Sequence, residues 1–394
     1  MTIFISYSKD GERVRLLVQA LRRHGLRTWR DQDSLEQGAH TEDTIERELE
    51  RCDTAMVWLG GNTLDSEFVC KNELPLVFQH HAAHGMRVVP LFVDVDINTG
   101  VDAVRASTGQ EIGSHNGYRF DDATPLDEHL NEVAVREVRA HLRQRVQTSA
   151  DGRPTVRCVT RSDAAGGRDI ADLNLDWITE YPADGTLPDL DTVTDLQAAL
   201  HASAQQLIAE FGPGTIDFYL KCHLHLGIAI GHALRRVTGL FPRVEVDGEW
   251  WPVNVAPPLP EDRQLVQVVT NGPAGGSRAS IEISLTRDVR PLVNDYVGST
   301  GTAYRRRIHL APTDGPGQLS VDAGSVNAWA EQAAEAIRAL RALPGVGAID
   351  VFIAAPIGFA VALGWRLNAL GGIHLFHPRG NAGPYDEVWE LPES

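Results

Sequence analysis

Apolar residues in the first 145 positions alternate between short runs and helical steps. Ile3-Phe4-Ile5-Ser6 reads as a short buried strand. Val14, Leu17, Val18 and Leu21 follow at i, i+3, i+4 and i+7, one apolar helix face, and Gly25 is placed to end that helix. The pattern then predicts a strand over 27–29, a polar loop over 30–38, a helix near 41–51, buried strands over 54–59 and 87–93, and a helix over 126–145. Strands that alternate with helices imply a parallel sheet covered on both faces. Thr148-Ser149-Ala150-Asp151-Gly152 has the composition of a linker.

The rest of the chain alternates too. Strands are predicted over 155–160, 216–222, 243–246, 265–270, 279–285, 307–310, 349–354 and 373–376, and helices over 190–211, 226–237, 288–297, 323–343 and 359–370. Two passages read alike. Ile216-Asp217-Phe218-Tyr219-Leu220-Lys221 runs through a turn into Leu226-Gly227-Ile228-Ala229, and Ile349-Asp350-Val351-Phe352-Ile353-Ala354 runs into Phe359-Ala360-Val361-Ala362. Each is a strand, a short loop and a small-residue helix, which predicts two doubly wound halves. Ligands of open α/β sheets bind beyond the carboxyl ends of the strands, here residues 221–225 and 354–359.

Composition narrows the function. The chain has 394 residues, 43% hydrophobic and 23% charged, enough for two or three domains with real cores. Its net charge of −17 argues against a duplex nucleic-acid partner, which needs a broad basic surface. Cys52, Cys70, Cys158 and Cys222 form no Cys-x-x-Cys pair and read as reduced thiols of a cytoplasmic protein. No export signal or membrane span is expected; the most apolar stretch, 351–365, is short and holds Pro356, Gly358 and Gly364. His80, His81 and His84 lack a matched carboxylate or cysteine, so no metal site is expected there. The phosphate-loop, dinucleotide, zinc-protease and serine-hydrolase motifs do not occur.

Three motifs in order resemble the TIR family. They are Phe4-Ile5-Ser6-Tyr7-Ser8, the loop Trp29-Arg30-Asp31-Gln32-Asp33-Ser34-Leu35-Glu36-Gln37-Gly38, and Cys70-Lys71-Asn72-Glu73-Leu74, with Val69 and Gly60-Gly61 in place of the family's tryptophan and serine. The resemblance implies a flavodoxin-like domain over 1–147 in which Glu73 cleaves the nicotinamide–ribose bond of NAD+, the substrate, with no cofactor. It implies NAD contacts from Tyr7, Ser8, Trp29, Asp31, Ser34, Leu35 and Cys70. The nicotinamide leaves a pyridinium as a neutral ring, so one carboxylate suffices where ordinary glycosidases need two. Pro75 suits a helix's first turn, where the macrodipole would favour the Glu73 carboxylate.

The segments 349–356, 362–364 and 373–376, with Tyr385 and Trp389-Glu390-Leu391 after them, resemble the SAVED family; Trp250-Trp251-Pro252 is read as a compatible turn. The resemblance implies, after a linker over 148–154, two fused Rossmann/CARF-like α/β halves at about 155–260 and 261–394 that bind a cyclic oligonucleotide. Such a ligand needs cations for its phosphates, aromatic faces for its bases and backbone it can approach. Lys221, His223, His225, Arg278 and Arg287 are the candidate polar contacts, Trp250 and Phe359 the stacking partners, Gly275-Gly276-Ser277 the approachable backbone, and Ala355 a further contact at the second predicted strand end. Lys221 leads, because a lone cation at an apolar strand end is costly without an anion. Together the resemblances imply an antiviral effector of CBASS type: a cyclic oligonucleotide of cyclic tri- or di-adenylate type activates it, it self-associates, and it depletes NAD+. A non-catalytic TIR scaffold gated by the same messenger is the alternative.

Overall fold

The computed structural model describes residues 2–8, 10–29, 41–148, 152–161, 167, 170–182, 186–317, 322–380 and 383–392. The chain divides into two compact units, Met1–Gln144 with Leu173–Leu175, and Arg145–Asp172 with Asp176–Ser394.

The first unit is built on five parallel strands: β1 (Thr2–Ser6), β2 (Arg27–Trp29), β3 (Thr54–Leu59), β4 (Arg87–Phe92) and β5 (Tyr118–Arg119). Their order, β2-β1-β3-β4-β5, is the flavodoxin-like doubly wound arrangement. All six residues of β3 are buried, as expected of a central parallel strand with helices on both faces. The helices are α1 (Gly11–Arg23), α2 (Thr41–Leu49), α3 (Leu74–His84), α4 (Ile97–Thr108) and α5 (Leu126–Thr148). Helix α5 runs through Thr148, three residues past the sequence expectation. The sequence reading missed α4 and β5.

Two further sheets are formed by the later strands. The first runs β10-β9-β8-β6-β7, with β6 (Thr155–Val159), β7 (Leu173–Asp176), β8 (Gly214–Lys221), β9 (Leu240–Val246) and β10 (Glu249–Pro252). The second runs β11-β13-β12-β14-β15-β16, with β11 (Leu265–Asn271), β12 (Arg278–Ser284), β13 (Tyr304–Pro312), β14 (Ala348–Ala354), β15 (Ile373–Pro378) and β16 (Tyr385–Leu391). Helices α6 (Leu190–Phe211) and α7 (Leu224–Ala233) belong to the first half. Helices α8 (Arg290–Thr300), α9 (Ala323–Arg341) and α10 (Ile357–Arg366) belong to the second.

The two halves repeat in register. Helices α6 and α9 start at Leu190 and Ala323, α7 and α10 at Leu224 and Ile357, β9 and β15 at Leu240 and Ile373; every pair is 133 residues apart. Even the caps match. The Asp189 carboxylate accepts from the Thr192 amide, and Asp322 accepts from the Ser325 amide. In each half a strand aspartate pairs with an arginine of the neighbouring strand, Asp217 with Arg243 (2.7 Å) and Asp350 with Arg278 (Nε–Oδ2 3.1 Å). The halves meet where α7 crosses α10. A side chain at Gly231 would run into the Val361 carbonyl, and one at Gly364 into the Ile228 carbonyl. Two glycines at equivalent positions thus permit close helix contact.

Two sequence expectations change here. The strand expected over 243–246 starts at Leu240, and Pro242 lies inside it. Trp250-Trp251-Pro252 is not a turn but strand β10. The turn is Asp247–Gly248, both at positive φ (51° and 86°), as a two-residue hairpin requires.

Candidate functional site

In the first unit the candidate site lies at the carboxyl end of β1. Ser6 closes that strand and is fully buried. Its hydroxyl donates to Glu73 Oε2 at 2.6 Å, and Glu73 is 2% exposed. A short charge-assisted bond of this kind fixes the carboxylate in position. Glu73 is brought there by a π-helical turn, Val69–Glu73, that directly precedes α3. The helical run is continuous from residue 67, so Glu73 does not sit in a first turn and the helix-dipole argument drawn from Pro75 does not hold. Pro75 has no N–H to give to the residue four back and would crowd that carbonyl. The wider π turn accommodates this, and π turns cluster at functional sites. The same turn buries Val69 and Cys70 beside Glu73.

The other expected NAD contacts fall differently. Ser8 uses its amide on Thr63 Oγ1 (3.3 Å), and the Cys70 thiol faces the carbonyls of Thr63 and Leu64 (3.8 and 3.5 Å). Cys70 thus ties the π turn to the one-turn helix Gly61–Leu64. Trp29 is 9% exposed and stacks on Phe4, centroids 5.3 Å apart, within the hydrophobic core. Register explains this: Phe4 and Trp29 are direct partners on β1 and β2. One indole face is therefore taken. Tyr7 is buried. Asp31, Ser34 and Leu35 lie outside the described residues.

In the second unit the carboxyl ends of β8 and β9 and the start of α10 frame a cavity of about 460 Å³. Arg161, Lys221, Glu245, Asp247, Ala355 and Ile357 line it. Lys221 is exposed at the cavity wall rather than buried, because it is the last residue of β8 and its side chain reaches solvent. Ala355 directly follows β14 and lines the same cavity.

Beside Lys221 the chain turns through His223 into α7, and a cluster of aromatic rings gathers there. His223 lies 4.7 Å from Tyr181 in a stack and 4.8 Å from His377 edge-on. His223 Nδ1 is 2.8 Å from Thr160 Oγ1, and His225 Nε2 is 2.9 Å from the Tyr181 hydroxyl. Burial, the His377 ring and the Arg161 charge push the His223 pKa down to about 3. Burial, Arg161 and Arg287 push His377 down to about 4. His225 is moved down as well, by burial first. At neutral pH these rings are uncharged, and Arg161 and Arg287 supply the positive field. His225 is 1% exposed, so it supports the cluster from beneath rather than facing the cavity.

Three candidates are displaced. Arg278 opens β12 and therefore lies at the amino end of its sheet, where it pairs with buried Asp350. Tyr304 donates to the same carboxylate at 2.6 Å. Phe359 is fully buried, since α10 turns that face inward. Trp250 packs edge-on against Tyr219 (5.2 Å) with the Arg243 guanidinium over its ring (5.0 Å), so its surfaces are in use. Sequence reasoning missed Arg161, Tyr181, Thr160 and His377, which no motif marks; only the fold brings the ends of β6, β8 and β15 together. Among the described residues, no group of three or more His, Cys, Asp or Glu side chains could hold a metal ion.

Comparison with known proteins agrees with this division. Residues 3–124 match the TIR domain family, and residues 196–391 match the family described as the SMODS-associated and fused to various effectors sensor domain, SAVED. A curated relative, CD-NTase-associated protein 4 of Enterobacter hormaechei subsp. hoffmannii, is 27% identical over 161 residues. That match covers 40% of this chain and 31% of the relative, so the chain spans about a third of the relative's length. Among solved structures, the Acinetobacter baumannii Cap4 SAVED/CARF-domain containing receptor with the cyclic trinucleotide 3'3'3'-cAAA is 14% identical with a TM-score of 0.51, over 89% of this chain and 85% of that one. The same receptor with 2'3'3'-cAAA is 13% identical with a TM-score of 0.50, over 91% and 86%. At such identity the likeness speaks to fold alone. Two family matches in chain order, each on a unit with its own sheets, make this chain a fusion of an N-terminal TIR domain with a C-terminal SAVED domain.

Proposed function

We propose that the chain is an NAD+ glycohydrolase switched on by a cyclic oligonucleotide, an effector of CBASS-type antiviral defence in the cytoplasm. The single observation that carries the catalytic half is the buried Glu73 carboxylate held by Ser6 at the end of β1. The reaction is NAD+ plus water giving nicotinamide, ADP-ribose and a proton. The C–N bond breaks with its electron pair passing to the pyridinium nitrogen, so nicotinamide leaves neutral and no general acid is needed. Positive charge develops on the ribose, and a fixed carboxylate close to it stabilises that charge. Ser6 keeps the carboxylate oriented.

The sensing half rests on the cavity beside Lys221 and Arg161 at the strand carboxyl ends, where ligands of such sheets bind. Two cations suit phosphates, and Ala355 lets a ring approach closely. The related receptor's solved complexes with cyclic trinucleotides support a ligand of that class. With the carboxylate 2% exposed, the described state is shielded from substrate. Messenger binding that favours a self-associated form would then shift the chain toward an open site. The same shielding is the observation that favours a second reading, a TIR scaffold that recruits partners without chemistry.

Glu73→Gln separates the two. The amide keeps the shape and the Ser6 contact but removes the charge. Nicotinamide release is expected to fall by about 10²–10³-fold or more, while messenger binding, followed by calorimetry, stays unchanged. Retained release in the variant would remove Glu73 from the reaction. Lys221→Ala should do the reverse, weakening messenger binding about tenfold or more.

A further inference from the structure

The two halves of the SAVED domain differ at one place where their symmetry predicts sameness. In the second half, α9 packs on α10 through a polar plug. Arg366 is 4% exposed; its guanidinium donates to the carbonyls of Val253 and Ala362 (both 2.9 Å) and to the Glu331 carboxylate (2.8 Å). Arg338 donates to the Arg366 carbonyl (3.1 Å), and Asn327 to the Pro252 carbonyl (2.6 Å). Trp365 completes the seal and donates to the Leu240 carbonyl (3.0 Å).

In the first half, 133 residues earlier, every member of this plug is reduced. Ala233 replaces Arg366, Ala198 replaces Glu331, Gln205 replaces Arg338, Thr194 replaces Asn327, and His232 replaces Trp365. The space between α6, α7 and the end of β16 is accordingly open, a cavity of about 520 Å³. Its walls are mainly apolar, from Leu200, Ala229, Trp389 and Leu391, with Arg235 and His201 at the polar side. His232 is pushed down to about 4 by burial and then by Arg235, so it adds no charge at neutral pH. Arg235 makes no ion pair among the described residues. A half-buried guanidinium without a carboxylate beside a mainly apolar cavity is a receptor for an anionic head on an apolar body.

We infer that this cavity is a second ligand site, separate from the one beside Lys221, and that it takes a small amphipathic anion: an aryl sulfonate or a medium-chain carboxylate. The apolar body occupies the volume that Trp365 and the Arg366 stem fill in the sister half. The anionic group meets Arg235. The inference does not depend on the proposed catalytic or messenger reading, since it rests on the internal repeat.

The test uses the full chain and two probes, 8-anilinonaphthalene-1-sulfonate fluorescence and octanoate as competitor. Wild-type protein should bind one equivalent saturably, and octanoate should displace it. Rebuilding the plug with Ala233→Arg and Ala198→Glu should weaken the dye about tenfold or more, with an unchanged circular dichroism spectrum. Arg235→Ala should weaken both probes about tenfold without changing the spectrum. Should the double variant fail to fold, Ala229→Leu fills the same space with one apolar side chain and should also exclude the dye. Equal dye affinity in the filled and open proteins, or an Arg235→Ala variant that binds both probes as wild type does, overturns the site. Unsaturable dye uptake, with no displacement by octanoate, overturns it as well.

Discussion

Individual side chains carry the chemistry, and their burial sets their charge. His223 and His377 have pKa values of about 3 and about 4, well below an ordinary histidine near 6.5, because burial and Arg161 disfavour the imidazolium. In the unfolded chain they regain the ordinary value. Between about pH 6.5 and 4 the unfolded state therefore binds protons that the folded state refuses. Stability from these rings is complete above about pH 6.5 and is lost as the pH falls toward the folded values, by at most about 1.4 kcal/mol per pH unit for each histidine. Urea unfolding at pH 7, 6 and 5 checks this. His377→Gln should flatten the loss, and an unchanged pH profile in that variant would show that the ring does not carry it. Glu73 was legible as a residue from its motif, yet its setting was not. Pro75 suggested a helix start, whereas the chain absorbs the proline in a π turn.

Secondary elements were largely legible because their apolar periods are clear. The helix and strand pairs that start 133 residues apart follow from the Ile-Asp passages that the sequence displays twice. The misses have local causes. Pro242 masks the first half of β9 in the sequence, and the Trp-Trp-Pro pattern suggests a turn where β10 lies, although Asp247-Gly248 is the hairpin dipeptide. Trp29 is expected to contact NAD and Trp250 and Phe359 to stack on bases, but ring neighbours already occupy the two tryptophans and Phe359 is fully buried. At this scale the α7–α10 crossing makes a definite claim. Gly231→Ala and Gly364→Ala each put a methyl against a backbone carbonyl that no rotamer change can move. Each is expected to destabilise the SAVED unit by about 1–3 kcal/mol or more, seen as a lower urea midpoint at unchanged slope. Gly298→Ala, which has open space around it, is the control and should cost far less. Equal midpoints for all three would show that the crossing is looser than described.

For the whole molecule, a chain of net charge −17 nonetheless lines the cavity at the β8 end with Arg161 and Lys221, together with Glu245 and Asp247, and carries Arg287 just after β12. Among the described residues, no helix is long and apolar enough to cross a membrane. In the TIR domain Glu73 is buried and oriented by Ser6, and the SAVED domain has a cavity at its strand carboxyl ends; the proposed link is that chemistry in the first depends on a ligand in the second. Sequence motifs reveal the two domains and the glutamate. They do not reveal the cleft, whose residues come from strands far apart in the chain. The most direct measurement is nicotinamide release from NAD+ by the purified full chain, with and without cyclic di-, tri- and tetra-adenylates. Release is expected with one cyclic species, with little in its absence and a fall of about 10²–10³-fold or more in Glu73→Gln. Release that is equally fast with no cyclic nucleotide present would contradict the proposed link, as would no release with a messenger shown to be bound.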